Sequence, residues 1–325
     1  MKKLYRNFLS TALAAVTAFS FVACSAATPE SGFDNPLPWG AYEKLEYDVA
    51  VYDTYADPSE EGRKRIASGD LCYVLEQGIE GGYTRLDMDL SMTYDSDKDV
   101  AGADAGCTDT ITCRTLFEPM SLNTKSMTRE VSLANRENVT NLSYKIEADY
   151  FGTHSATLLY TAREGATPSS MRLPMDPCHD NETMFFVARA QGIGGDSSTY
   201  FYMVNLFDCF LKGEVAKYGI SVRGTATTVN LGEWVKDFGV EGVTNEETGE
   251  VTYPIAATSA SLVINEDNHG PAYYVTYSNV AFKNGDEEHK KIPLKIDYTQ
   301  YSGGRSYRKM VYTLKACSFS SDGNA

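Results

Sequence analysis

The chain has 325 residues, 29 of them Lys or Arg and 44 Asp or Glu, for a formal net charge of −15. Hydrophobic residues at 42% and aromatics at 12% supply a sizeable core and exclude wholesale disorder. The acidic excess excludes binding of nucleic acid or anionic membrane through charge, since both need a basic footprint.

The first 23 residues read as a secretory signal. Lys2, Lys3 and Arg6 form a positive start, and Phe8 to Ala23 is uncharged and mostly apolar. That stretch is shorter than the ~20 apolar residues of a membrane-spanning helix. It ends in Phe21-Val22-Ala23-Cys24, which resembles the lipobox of bacterial lipoproteins, with Phe21 in place of the usual Leu. The resemblance implies cleavage before Cys24, diacylation of its sulfur and a lipid anchor in the bacterial cell envelope, outside the cytoplasm. Two acyl chains suffice for stable anchoring. The alternative is an ordinary signal cut at Ala23 or Ala27. Either cleavage discards three positive charges and takes the net charge from −15 to −18. Residues 24–40, with three prolines and two glycines, read as a flexible tether. Residues 41–325 then form one large β-domain.

From Ala41 onward, apolar residues recur with the period of two that marks half-buried strands. Leu45, Tyr47, Val49 and Val51 open the series. Leu86, Met88, Leu90, Met92 and Tyr94 continue it, then Tyr144, Ile146, Ala148 and Tyr150, followed by a turn at Phe151-Gly152-Thr153. Ile292, Leu294, Ile296 and Tyr298 precede Gly303-Gly304, and Met310, Tyr312, Leu314 and Ala316 close the chain's pattern. Strict alternation gives one wet and one dry face, the habit of antiparallel sheets. Turn chemistry at Thr248-Gly249, Asn284-Gly285 and Gly303-Gly304 agrees. Pro293 within a strand pattern predicts an edge or a bulge. Asp57-Pro58-Ser59-Glu60 predicts a short surface helix running to Gly69. Asn181 to Gln191, entered through Asp180, predicts a second helix, apolar nearly all round and hence buried. Residues 201–211 fit either period and are read as a strand.

The stretches Trp39-Gly40-Ala41-Tyr42-Glu43-Lys44-Leu45-Glu46-Tyr47 and Asp180-Asn181-Glu182-Thr183-Met184-Phe185-Phe186-Val187-Ala188-Arg189 resemble secreted bacterial lipoproteins of unknown function, whose fold is similar to the half-open barrel of the periplasmic lipoprotein carriers. The resemblance implies a mainly β fold, a strongly curved antiparallel sheet wrapped around one buried helix. This chain departs from it by an Asp-rich insertion at 95–109 and a Cys-richer body.

Chemistry-bearing motifs are few. Six cysteines remain beside Cys24, and Cys107 and Cys113 are close enough in sequence to suggest a local disulfide, the alternative being reduced, buried thiols. Asp176-Pro177-Cys178-His179-Asp180 concentrates metal-ligand types, but a helix cap at Asp180 explains it better. Asp95-Ser96-Asp97-Lys98-Asp99 opens like a calcium loop, yet Val100 and Gly106 stand where an EF-hand needs Gly and an acid. No nucleophile elbow, zincin motif or phosphate loop occurs. His154, His269 and His289 read as loop positions. The 22 tyrosines suit pleated surfaces as well as ligand stacking. The expectation is therefore a non-enzymatic, membrane-anchored binding lipoprotein without cofactor or metal. An apolar or amphiphilic ligand, or an envelope protein, would be its partner, and Met88, Met92, Tyr94, Phe185 and Tyr298 would line the sheet's hollow. A surface glycoside hydrolase or polysaccharide binder, its two carboxylates unidentified, and a structural or adhesive envelope protein are the other classes considered.

Overall fold

The computed structural model describes residues 37–320 except 54–63, 96–104, 134–141, 152–154, 163–164, 176–177, 192–198, 216, 265–271 and 303–304. The first half is a run of strands: β1 (Tyr42–Asp53), β2 (Lys64–Ile79), β3 (Tyr83–Tyr94), β4 (Thr108–Phe117), β5 (Thr124–Leu133), β6 (Leu142–Phe151), β7 (Ser155–Thr161) and β8 (Ser169–Pro174). Next come the short β9 (His179–Asp180), helix α1 (Met184–Ala190), β10 (Thr199–Val204) and helix α2 (Leu206–Lys212). The second strand run is β11 (Lys217–Leu231), β12 (Val243–Thr244), β13 (Val251–Ile264), β14 (Ala272–Ser278), β15 (Phe282–Asn284), β16 (Glu287–His289), β17 (Pro293–Ser302) and β18 (Arg305–Ser320). The protein is mainly β. One large sheet runs in the order β8-β7-β6-β5-β4-β3-β2-β1-β18-β17-β14-β13-β11-β10-β9 and is not closed into a barrel. Its pairings are antiparallel except β9 on β10, which makes it mixed.

The alternation fixes which face is dry. In β1, Leu45, Tyr47, Val49 and Val51 are buried, while Asp48 between them is exposed. Burying one such aliphatic side chain is worth about 1.5–3 kcal/mol, so each strand commits strongly to its register. The wet face carries cross-strand ion pairs. Lys315 of β18 bridges Asp48 of β1 and Asp70 of β2, and Lys145 of β6 meets Glu130 of β5 at 3.4 Å. Exposed pairs of this kind contribute about 0–1 kcal/mol each. They account for where many acids sit rather than for why the sheet holds. Pro293 sits at a bulge, as its ring requires: Thr276 faces Lys295 but Tyr277 faces Pro293.

Two core clusters share the dry face. The larger joins β1–β3, α1, β11, β13, β14, β17 and β18. The smaller joins β4–β7, α2 and the segment around Cys178. Met88 and Ile111 pack against both. The segment of β9, the last strand in the sheet order, hydrogen-bonds the start of β5: the Thr124 amide donates to the Cys178 carbonyl at 2.9 Å, and the Asp180 amide to Thr124 Oγ1 at 2.9 Å.

Three expectations are corrected. The surface helix expected up to Gly69 is not formed over Lys64–Gly69, which belong to β2. Residues 57–63 lie outside the described residues. Ile66 and Ala67 are 1% exposed and anchor the strand in the core. Residues 201–211 split into the end of β10 and helix α2. Asn205 caps the helix through its side chain, which accepts from the Asp208 amide at 3.2 Å, and Gly213 ends it at φ 72°. The Cys107–Cys113 disulfide does not form: Cys113 lies within β4 and Cys107 just before its first residue. An extended chain rises about 3.3 Å per residue, which puts these two far beyond the roughly 7 Å Cα separation a disulfide allows.

Candidate functional site

The inward face of β5 carries Met127, Arg129, Val131 and Leu133 at every second position, so one of four dry positions holds a cation. Arg129 Nη1 donates to Glu182 Oε1, and the two side chains are 14% and 10% exposed. Glu182 stands in the 3-10 turn Asn181–Thr183 that leads into α1, and Asn181 Nδ2 also donates to its Oε1 at 3.0 Å. Burial works against Arg129's charge, but Glu182, Tyr144, Cys113 and Asp180 together outweigh it, so the guanidinium stays charged. Its Nε has no hydrogen-bond partner among the described residues. That leaves one buried donor available to an incoming acceptor.

Asp180 starts the same turn. Its Oδ1 accepts from the Glu182 amide at 2.9 Å, while its Oδ2 has no partner among the described residues. Complete burial, reinforced by the Glu182 charge, pushes the carboxyl up to about 8, so Asp180 is mostly protonated at neutral pH. A carboxyl held neutral near pH 7 is the kind of group that general-acid catalysis uses. Asp180 is 0% exposed, however, and its carboxyl serves as a helix cap.

Aromatic and thioether groups surround this polar point. Burial raises the Tyr144 and Tyr273 hydroxyls and the Cys113 thiol, and the Glu182 charge adds to each. Tyr273 stacks on Tyr298 with ring centroids 4.4 Å apart, and Phe185 meets Tyr273 edge-on at 5.5 Å. Phe185, Tyr273, Met88 and Met310 are among the partly buried apolar residues packed against the larger cluster.

A second buried polar group lies where the chain enters the domain. Glu43, Arg189 and His289 have fully buried side chains. Arg189 Nη1 and Nη2 donate to the two Glu43 oxygens at 2.6 and 3.0 Å, and His289 Nδ1 lies 2.6 Å from Glu43 Oε1. Arg189 also donates to the carbonyls of Pro38 and Lys290, and its guanidinium lies 5.5 Å from the Trp39 ring centre. Burial opposes Glu43's charge, but Arg189 and His289 outweigh it and hold the carboxyl below its usual range. The Lys290 amide donates to the Pro38 carbonyl and Gln77 Nε2 to that of Gly40, both at 2.8 Å. Trp39 is 4% exposed, so the last residues expected in the tether are clamped into the domain. The cluster's role is mechanical: it fixes the entry point of the chain.

Of the residues singled out from the sequence, Phe185 and Tyr298 come together through Tyr273, and Met88 lies at the junction of the two core clusters. Met92 and Tyr94 are packed deep in the larger cluster, with the Tyr94 hydroxyl donating to Asp109 Oδ2 at 2.7 Å. Cys24, His154, His269 and most of the Asp-rich insertion lie outside the described residues. His179 Nδ1 lies 2.9 Å from the Leu122 carbonyl. Arg129, Glu182, Glu43, Arg189 and His289 went unremarked as site residues. Parity would have found two of them: Glu43 is in phase with Leu45 and Tyr47, and Arg129 with Met127 and Val131.

Compared with known proteins, the chain matches no family model, no curated protein and no solved structure.

Proposed function

We propose that this is a membrane-anchored extracytoplasmic lipoprotein, lipidated at Cys24, that binds an amphiphile on the dry face of its sheet without transforming it. Hydrogen bonds between strands far apart in the sheet order support the reading. β5 and β9 are eleven strand spacings apart along the sheet, roughly 50 Å if it were flat. Yet Thr124 at the start of β5 hydrogen-bonds the segment that forms β9. On this reading, those bonds draw the dry face into a hollow.

The observation that carries the proposal is the Arg129–Glu182 pair set among apolar side chains that are only partly buried. An amphiphile matches both parts. Its chain would lie against Met88, Phe185, Tyr273 and Met310, and a head with a carboxylate or phosphate acceptor would take the Arg129 Nε donor. Ligand sites are mostly apolar with a few placed polar groups.

The test is titration with a fluorescent fatty acid, compared with R129M/E182L. The double variant leaves no uncompensated buried charge, so the fold survives. Loss of a hydrogen bond to a charged group corresponds to a roughly 10–100-fold fall in affinity. Unchanged affinity in the double variant, or no binding by the parent protein, overturns the site. The anchor is tested separately, by detergent-phase partition and by acyl mass on the N-terminal peptide. An aqueous, unmodified N-terminus overturns it.

A further inference from the structure

Arg129 and Glu182 are joined by one hydrogen bond, from Nη1 to Oε1. Arginine and carboxylate often pair through two parallel bonds. Here the second is not made. Arg129 Nε has no partner among the described residues, and the side-chain donors to Glu182, from Arg129 and Asn181, both end on Oε1. One donor of the cation and one oxygen of the anion, Oε2, are thus unused on two groups already bonded to each other.

The surroundings limit the charge a ligand brings. Arg129 and Glu182 cancel, and Asp180 in the same turn is mostly protonated at neutral pH. The other groups that feel the Glu182 charge are the Tyr73, Tyr144 and Tyr273 hydroxyls and the Cys113 thiol, all raised by burial and hence uncharged. The paired side chains are 14% and 10% exposed, so water screens an incoming charge poorly. A purely anionic head would leave one uncompensated negative charge there, and a purely cationic head one positive charge. An uncompensated buried charge is costly. A head with one charge of each sign adds none.

Building on the amphiphile-binding reading, we infer that the head group taken at this site is zwitterionic: an oxyanion linked to a primary ammonium, as in a phosphoethanolamine ester. The oxyanion accepts from Arg129 Nε, and the ammonium donates to Glu182 Oε2. Both bonds join charged partners, the stronger class of hydrogen bond. A fatty acid or a simple phosphate ester satisfies the arginine and leaves Oε2 without a donor, so it binds more weakly.

The experiment measures displacement of a fluorescent fatty acid from the purified protein by lauroyl lysophosphatidylethanolamine and by lauroyl lysophosphatidic acid. The two share chain and phosphate and differ in the ammonium, and each is kept below its micelle concentration. The expected result is about tenfold tighter binding of the ethanolamine lipid, the worth of one hydrogen bond between charged groups. R129M/E182L, with both charges gone, should lose that preference. Equal displacement by the two lipids, tighter binding of lysophosphatidic acid, or a preference that R129M/E182L keeps overturns the zwitterionic head. The first two leave amphiphile binding intact. If the fluorescent fatty acid does not bind at all, the amphiphile reading fails and the zwitterionic head fails with it.

Discussion

Replacing Asp180 by Asn should stabilise the protein at neutral pH. Asp180 is wholly buried, and its carboxyl is pushed from 3.8 up to about 8 in the fold. Between those values the unfolded chain has released the proton and the folded chain keeps it. The folded state then binds more protons, so stability is fullest below pH ~4, falls with rising pH, and levels off above pH ~8. Each unit of difference is worth about 1.4 kcal/mol, so at pH 7 the native protein gives up on the order of 4 kcal/mol. Asn reproduces the neutral carboxyl in shape, and its carbonyl can still accept from the Glu182 amide as a cap. Urea denaturation of both proteins from pH 4 to 8.5 checks this. The two should agree near pH 4, and Asp180→Asn should gain steadily above it, reaching several kcal/mol by pH 8. Equal slopes with pH, or a destabilised Asp180→Asn at pH 7, would show that Asp180 is ionised in the fold.

Other outcomes follow from the same packing. Glu43→Gln leaves Arg189 buried without its carboxylate and should cost about 3–5 kcal/mol, read from thermal unfolding. A Cβ at Gly69 in β2 would lie 1.8 Å from the Ser91 carbonyl oxygen of β3, so Gly69→Ala forces two backbones apart. It should cost about 3 kcal/mol or more, measured by denaturation or seen as lost soluble expression. Phe186→Ala removes a ring 5.5 Å from Tyr73 and 6.1 Å from Trp39, and should cost about 3–5 kcal/mol in the same assay.

The β character was legible because most strands have one wet face, and alternation writes that face into the chain. Helix α1 was legible for the opposite reason: Met184 to Ala188 is apolar all round, and Asp180 announces its start. Helix α2 was not, because Phe201 to Leu211 is apolar on every phase. The periodicity is uninformative there, and only the Asn205 and Gly213 caps separate helix from strand. The surface helix failed at Lys64–Gly69, where tertiary burial of Ile66 and Ala67 overrode local capping signals. The buried charges were half legible. Glu43 and Arg129 break the apolar phase of their strands, but which partners they meet depends on pairings more than fifty residues apart. His289 sits in a charged run that reads as solvated, and its burial follows only once β16 folds against Phe319, with rings 3.8 Å apart.

The most direct measurement is native mass spectrometry of the protein purified without detergent, before and after organic extraction. Amphiphile binding predicts a co-purified small molecule of fixed mass that extraction removes, that a fatty acid replaces, and that R129M/E182L fails to retain. A single ligand-free mass that added fatty acid does not shift would contradict it.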